Sequence, residues 1–340
     1  MRPGAASLSL CVKEYIPLNN IEAEEGSITI IAAHANGFPK EISEQLFEEI
    51  IQSCPNKIRG IWIADCANQG LSGIENEDLL GDDTSWCDHS RDLHGMLNHF
   101  RERISPPIFG IGHSMGCAQL DIWPSKEEFE ASIIKNSFFG SLDARAMKKY
   151  LEFRVRPVPT KLYPVTGTAK IPEGAVTLTT TRHQEAWSYV RANISPLSPS
   201  PDDPRERLIA PELDLTDEGK LISTRPESIL ALLDLPQLRS GMLWLYGSET
   251  PINSESLQEE KRRLTGSKRG GSGEVKLKRV EECVIENSGH LVPLEKVSEC
   301  TGIIAEWLGK ETRRFLQDEG VFRTHSRQVS SENGLAVSKE

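Results

Sequence analysis

Three short apolar, β-rich runs separated by two amphipathic stretches occupy the first third of the chain, and this alternation constrains the fold most. Ser27–Ala33 lies between Gly26 and the Asn36-Gly37 breaker, Ile58–Asp65 runs into a polar Gly-rich loop, and Pro107–Ile111 stops at Gly112. Between them, Lys40–Ile51 places Ile42, Leu46, Phe47 and Ile50 at helical spacing, and Asp88–Arg103 does so with Leu93, Met96, Leu97 and Phe100. Apolar runs bounded by breakers read as buried strands, and the periodic stretches as helices that cover them. Parallel strands can be joined only by long crossovers, so this grammar predicts an α/β fold: a mostly parallel sheet flanked by helices.

The third strand runs directly into Gly112-His113-Ser114-Met115-Gly116, a G-x-S-x-G motif. After a strand and before a helix-compatible stretch, this is the pattern of a nucleophile elbow. Its glycines spare a sharp turn the collisions that neighbouring Cβ atoms would cause. The Ser114 hydroxyl is thereby raised above the strand ends, and the Met115 amide is poised to donate to an oxyanion. The loop after the first strand, His34-Ala35-Asn36-Gly37-Phe38-Pro39, suits the second oxyanion amide. Asn36 and Phe38 are both candidates for it.

His290 sits in Asn287-Ser288-Gly289-His290-Leu291-Val292-Pro293, behind the last predicted strand. Ser before His in chain order is the hydrolase order, with His290 as general base. His89, His94 and His99 share one amphipathic helix, His183 lies in an inserted region and His325 in the tail, positions that suit packing or surface roles. For the acid, a G-x-x-D pattern is expected past the strand ending at Gly247. The chain reads Gly247-Ser248-Glu249-Thr250, so Glu249 is the candidate and a surface carboxylate its alternative. Asp65 opens a D-x-x-x-x-G-x-S stretch and reads as a loop organiser.

With 50 acidic and 39 basic residues the net charge is −11, and no basic block is present, which argues against phosphate-backbone binding. The Thr265–Gly273 loop carries a short basic cluster that reads as solvated. No apolar run approaches the roughly 18 residues of a membrane span, and the N-terminus lacks the apolar stretch of a secretory signal. Seven dispersed cysteines without a CxxC pair suggest neither disulfide framework nor zinc site, and fit a reducing intracellular compartment. The C-terminal Ser338-Lys339-Glu340 is a near-miss of the SKL peroxisomal address, which leaves cytoplasm and peroxisome as alternatives.

HANGFPKE, IADCANQGLSG, DHSRDLHGMLNHF, IGHSMG, DIWPSKEEFEASIIKNSFF, TLTTTRHQEAWSYV and SGHLVPLEK together resemble the fungal α/β-hydrolase group. That group includes the AK-toxin-type biosynthetic hydrolases of Alternaria and the yeast peroxisomal lipase. The similarity runs from about residue 11 to 315. It implies hydrolysis of a carboxylic ester or related acyl bond by Ser114 and His290, no cofactor or metal, and a small-molecule acyl substrate. Toxin or other secondary-metabolite biosynthesis, or lipid metabolism, would be its setting. A thioesterase or an acyltransferase could use the same acyl-enzyme.

The expected organisation is a core over 8–122, an inserted helical cap over 123–211, the rest of the core over 212–315 and a disordered tail over 316–340. One interval is too short. Only eight residues, Met115–Ile122, separate the elbow from the Trp123-Pro124 start of the cap, whereas a crossover to another parallel strand needs a dozen or more. The sequence therefore predicts loss of one central strand and helix, with the triad acid at stake. A catalytically impaired relic is the alternative reading that follows.

Overall fold

The computed structural model describes residues 7–20, 22–81, 85–113, 122–123, 125–136, 139–161, 173–189, 191–192, 223–224, 226–251, 254–272 and 279–332. Strands β1 (Val12–Tyr15), β2 (Ile28–Ala33), β3 (Ile58–Ala64) and β4 (Ile108–Gly112) form one sheet in the order β1-β3-β2-β4. β2 runs parallel to both β3 and β4, with Ile30 opposite Ile61 on one side and Phe109 on the other. β1 is the antiparallel edge. Helix α1 (Glu44–Ser53), entered through a 3-10 turn at Lys40–Ser43, connects β2 to β3; α2 (Gly70–Glu75) and α3 (Trp86–His99) lead on to β4. Ser85 and Asp88 close a capping box at the start of α3, which satisfies amides that the first helical turn leaves unpaired.

The inserted region contributes β5 (Ile122–Trp123), α4 (Lys126–Ile134), α5 (Ala144–Phe153), β6 (Val155–Pro157), β7 (Val176–Leu178), α6 (Arg182–Tyr189) and β8 (Arg191–Ala192). β5, β7 and β6 make a small antiparallel sheet, so the cap is mixed where the sequence predicts a helical one. Its predicted end at 211 lies outside the described residues. β9 (Ser223–Thr224) and α7 (Pro226–Asp234) lead back to the core. There β10 (Met242–Gly247), α8 (Glu255–Leu264), β11 (Val280–Ile285), α9 (Val292–Glu295) and α10 (Val297–Glu332) complete the chain.

Side chains alternate across the sheet with the period of two that a strand imposes. Ile61 and Ile63 join Phe47 and Ile50 of α1 and Ile304 and Leu308 of α10 in one core. Trp62 and Ala64 point the other way, to Met96 of α3 and to Ile104. α10 departs from the predicted tail, since it stays helical to Glu332. Its buried face nucleates the helix, and extending a formed helix costs little per residue.

Among the described residues β4 pairs only with β2, and β10 only with β11. Among the described residues the sheet is thus in two parts, on either side of the place where the short interval after residue 114 predicts a lost strand. β4 shows it directly: Ile108 is 46% exposed, whereas Ile30 on the neighbouring β2 is fully buried.

A buried ion pair joins the loops at the C-terminal ends of β2 and β3. The Lys40 ammonium lies 2.6 Å from Asp65 Oδ2 and 3.2 Å from Glu41 Oε1. Burial alone would lower its pKa, but the two carboxylates outweigh that and raise it above the ordinary lysine value. Asp65 Oδ2 also accepts the Leu71 amide at 3.0 Å. Gly70 has φ +54, and a Cβ there would fall 2.5 Å from the Asp65 carboxyl. Replacing Lys40 by Ala would remove the one ammonium paired with the buried Asp65 carboxylate, an effect expected to cost about 3–5 kcal/mol. Equilibrium urea unfolding should read this as a lowered midpoint with little change in slope.

Candidate active site

The candidate residues gather at one end of the sheet. His34 follows β2, its Nδ1 lies 2.8 Å from the Ala35 carbonyl, and its Nε2 faces the Cys66 amide at 3.1 Å. An amide can only donate, so Nε2 accepts and Nδ1–H donates. Asn36, fully buried, donates through Nδ2 to the Glu185 carbonyl at 3.2 Å and accepts from Gln69 Nε2. Gln69 Oε1 in turn accepts the Gly37 amide at 2.8 Å. Phe38 N–H donates to the Ala35 carbonyl and closes a turn. Of the two candidate oxyanion amides, Phe38's is thus engaged within its own loop.

The cap is bolted to this loop. Glu185 on α6 pairs with Arg154, both buried, and a Cβ on Gly37 (φ +75) would fall 2.5 Å from Glu185 Oε1. Ser188 Oγ accepts from Gln69 at 3.2 Å, and Thr180 Oγ1 accepts the Gly70 amide at 2.8 Å. Trp86 Nε1 donates to the Ser188 carbonyl at 2.7 Å. Sequence reasoning missed Gln69, Arg154 and Glu185. A buried Gln within a predicted polar loop carries no local signal, and the Arg–Glu pair spans 31 residues.

Ser114 and Met115 lie outside the described residues. His113, the last described residue before them, donates from its amide to the Ala33 carbonyl at 3.2 Å, which extends the β2–β4 ladder by one step. Its ring stands 6.1 Å from that of His290, and its Nε2 lies 3.4 Å from the His290 carbonyl. Burial pushes the His113 imidazole down to about 4, so it is neutral at physiological pH. His89 is pushed down to about 4 as well, by burial and then by His34, whose ring is 6.1 Å away.

His290 follows β11 in a tight turn. Its Nε2 is buried and has no hydrogen-bond partner among the described residues. Burial lowers its pKa; Glu295 opposes this and Lys261 adds to it. Glu295, another residue missed from sequence, accepts the Gly289 amide at 2.6 Å and the Leu291 amide at 3.2 Å, one on each side of His290. A carboxylate in the first turn of a helix behind a His loop is the signal that could have found it. Gly247 lets β10 touch this turn, since a Cβ there would fall 2.1 Å from the Gly289 carbonyl. Glu249 is exposed, and its amide donates to the Ser288 carbonyl at 2.9 Å. Thr250, at the position where the Asp was expected, buries a hydroxyl with no hydrogen-bond partner among the described residues.

The described residues contain no group of three or more His, Cys, Asp or Glu side chains that could hold a metal ion, and no described helix is long and apolar enough to cross a membrane. What the arrangement offers is an imidazole, that of His290, whose buried Nε2 has no hydrogen-bond partner among the described residues and which stands beside His113 at the end of β4.

No protein-family model matches the chain. It is 32% identical to the type I acyl-CoA thioesterase mpaH of Penicillium roqueforti, in a match covering 92% of this chain and 84% of that protein. It is 21% identical to the abhydrolase domain-containing protein ACTT2-1 of Alternaria alternata, over 61% of this chain and 71% of the relative. Among solved structures, the peroxisomal α/β-hydrolase Lpx1 of Saccharomyces cerevisiae superposes with a TM-score of 0.64 at 12% identity, covering 99% of this chain and 92% of that one. That likeness concerns the fold, and the identity to the Penicillium protein carries the kinship: the chain belongs to the family of the mpaH proteins, a fungal group of α/β-hydrolases that act on acyl compounds.

Proposed function

We propose that this protein hydrolyses the acyl thioester or ester of a small molecule through an acyl-enzyme on Ser114, with His290 as general base. The observation that carries the reading is the open, buried Nε2 of His290 beside His113, the residue that precedes Ser114. Ser114 Oγ attacks the acyl carbon as its proton passes to His290 Nε2, and the developing oxyanion is held by backbone amides. The thiol or alcohol leaves with that proton. Water then attacks the acyl-enzyme, giving its proton to His290 and releasing the acid and the free serine. Met115 supplies one oxyanion amide, and the loop that carries Asn36 and Phe38 the second.

An acyl-CoA thioester is the favoured substrate class, because a relative matching nine-tenths of this chain is named for that reaction. A place in fungal secondary metabolism belongs to the same reading. The divided sheet and the exposed Glu249 favour a second reading, a hydrolase fold whose catalytic machinery is incomplete in this chain.

A fluorophosphonate probe is expected to label the folded protein, and Ser114→Ala should abolish labelling. Thiol release from an acyl-CoA series, set beside p-nitrophenyl esters, would rank the substrates. Folded protein that takes no label would decide for the second reading. The base must be neutral to act, and burial lowers the His290 pKa. The acidic limb of kcat/KM should therefore fall below the ordinary imidazole value of 6.5, with activity flat above it.

Gly37→Ala would strain a left-handed residue and press a methyl group onto the buried Glu185. It is expected to cost roughly 1–3 kcal/mol and to slow acylation, because the strain falls on the oxyanion loop. Thermal melts together with burst kinetics would check both parts.

A further inference from the structure

We infer that His113 is a positioning residue: its imidazole ties the turn of the candidate base to the residue that precedes Ser114, and so sets where His290 lies against the end of β4. The inference rests on the reading of Ser114 as nucleophile and His290 as base, and adds a third residue to that pair.

His113 is anchored at its own end. Its amide donates to the Ala33 carbonyl at 3.2 Å, which continues the β2–β4 ladder. Its ring reaches across to a turn 177 residues further along the chain, where Nε2 lies 3.4 Å from the His290 carbonyl. A carbonyl oxygen can only accept, so Nε2 carries the hydrogen and donates. The two rings stand 6.1 Å apart at an interplanar angle of 37°. The bond ends on the backbone of His290 and not on its ring, whose Nε2 has no hydrogen-bond partner among the described residues. The tie therefore holds His290 without engaging the nitrogen that would take a proton.

The chemistry of the site favours an imidazole here over other donors. Burial keeps His113 neutral at physiological pH, and the neighbouring His290 and His34 rings add to this. It can therefore stand beside His290 without opposing the positive charge that the base acquires when it takes a proton. A lysine or arginine in its place would bring a second cation there. Among the described residues, the charged groups whose fields reach His290 are Glu295 of α9 and Lys261 of α8. Glu295 takes the Gly289 and Leu291 amides and gives the turn its form, whereas the His113 bond fixes that turn against the strand ends. A displacement of ~1 Å within a reacting pair can cost on the order of 100-fold in rate, so loss of this bond is read in turnover.

A proton–nitrogen correlation spectrum of the histidine rings tests the bond directly. His113, assigned by its absence in His113→Gln, is expected as the neutral Nε2–H tautomer across about pH 5.5–8. The Nδ1–H tautomer, or a ring that takes a proton in that range, overturns the inference. His113→Phe keeps a ring and removes the donor, while His113→Gln retains an N–H. Per folded protein, His113→Phe should lower kcat and the rate of fluorophosphonate labelling roughly 10- to 100-fold, with KM changed less than about 2-fold. His113→Gln should be the more active of the two by about 5-fold or more. Unaltered kcat in His113→Phe, or equal losses in both variants, overturns the inference. The acidic limb of kcat/KM should stay in place in His113→Phe, which exchanges one neutral group for another. It should move lower in Glu295→Gln, which removes the carboxylate that opposes the effect of burial on His290. A limb that moves as far in His113→Phe would make the role electrostatic and overturn positioning. Where His113→Phe does not fold, the spectrum still decides. Wild-type protein that takes no label overturns the reading of Ser114 and His290, and the spectrum separately decides the bond between His113 and His290.

Discussion

The contact between Lys40 and Asp65 governs more of this molecule than its size suggests. Both side chains are withdrawn from water, so each has lost its hydration and depends on the other for compensation. Lys40 belongs to the turn that ends the first βα loop and Asp65 opens the second, so the pair fixes the distance between the two loops at the functional end of the sheet. Glu41 and Lys13, 2.9 Å apart, continue the chain of charges to β1. An apolar pair of similar volume would fill the space as well. It would not accept the Leu71 amide, which gives the second loop its form.

From that anchor the polar contacts spread outward to the cap. Gln69 reaches the Gly37 amide and Ser188 at once, and Glu185 lies against Gly37 while paired to Arg154. The cap is therefore held at the candidate oxyanion loop by buried groups that each pair with another. Moving the cap away here would give up several buried hydrogen bonds at once. Opening for substrate is easier to accommodate on a side of the cap remote from α6 than at this seam.

Much of the architecture could be read from the amino acids because strand and helix periods are local properties. β2, β3, β4 and α3 fall where apolar runs and helical spacing put them, and the break after β4 follows from counting residues against the length of a crossover. The long helix α10 could not be read so, because its far half has no apolar period of its own and continues from a buried first half. At the candidate site, motif and chain order point to Ser114, which lies outside the described residues, and to His290. Gln69, Arg154, Glu185 and Glu295 act through partners distant in sequence or through backbone amides, and neither relation leaves a pattern in a single chain.

The divided sheet bears unequally on the two halves of the site. The His290 turn is nearly self-sufficient. Glu295 takes the amides on both sides of it, Ser288 Oγ donates to the Ile285 carbonyl at 2.7 Å, and β10 reaches it through Gly247 and the Glu249 amide. None of these groups belongs to β4, so the turn keeps its form independently of that strand. β4 has no comparable support on that side. Among the described residues its single ladder is to β2, and its Ile108 is exposed. Backbone hydrogen bonds left accessible to solvent open with little free energy. The turn of the candidate base is thus set by contacts local to itself, whereas β4, among the described residues, is held by β2.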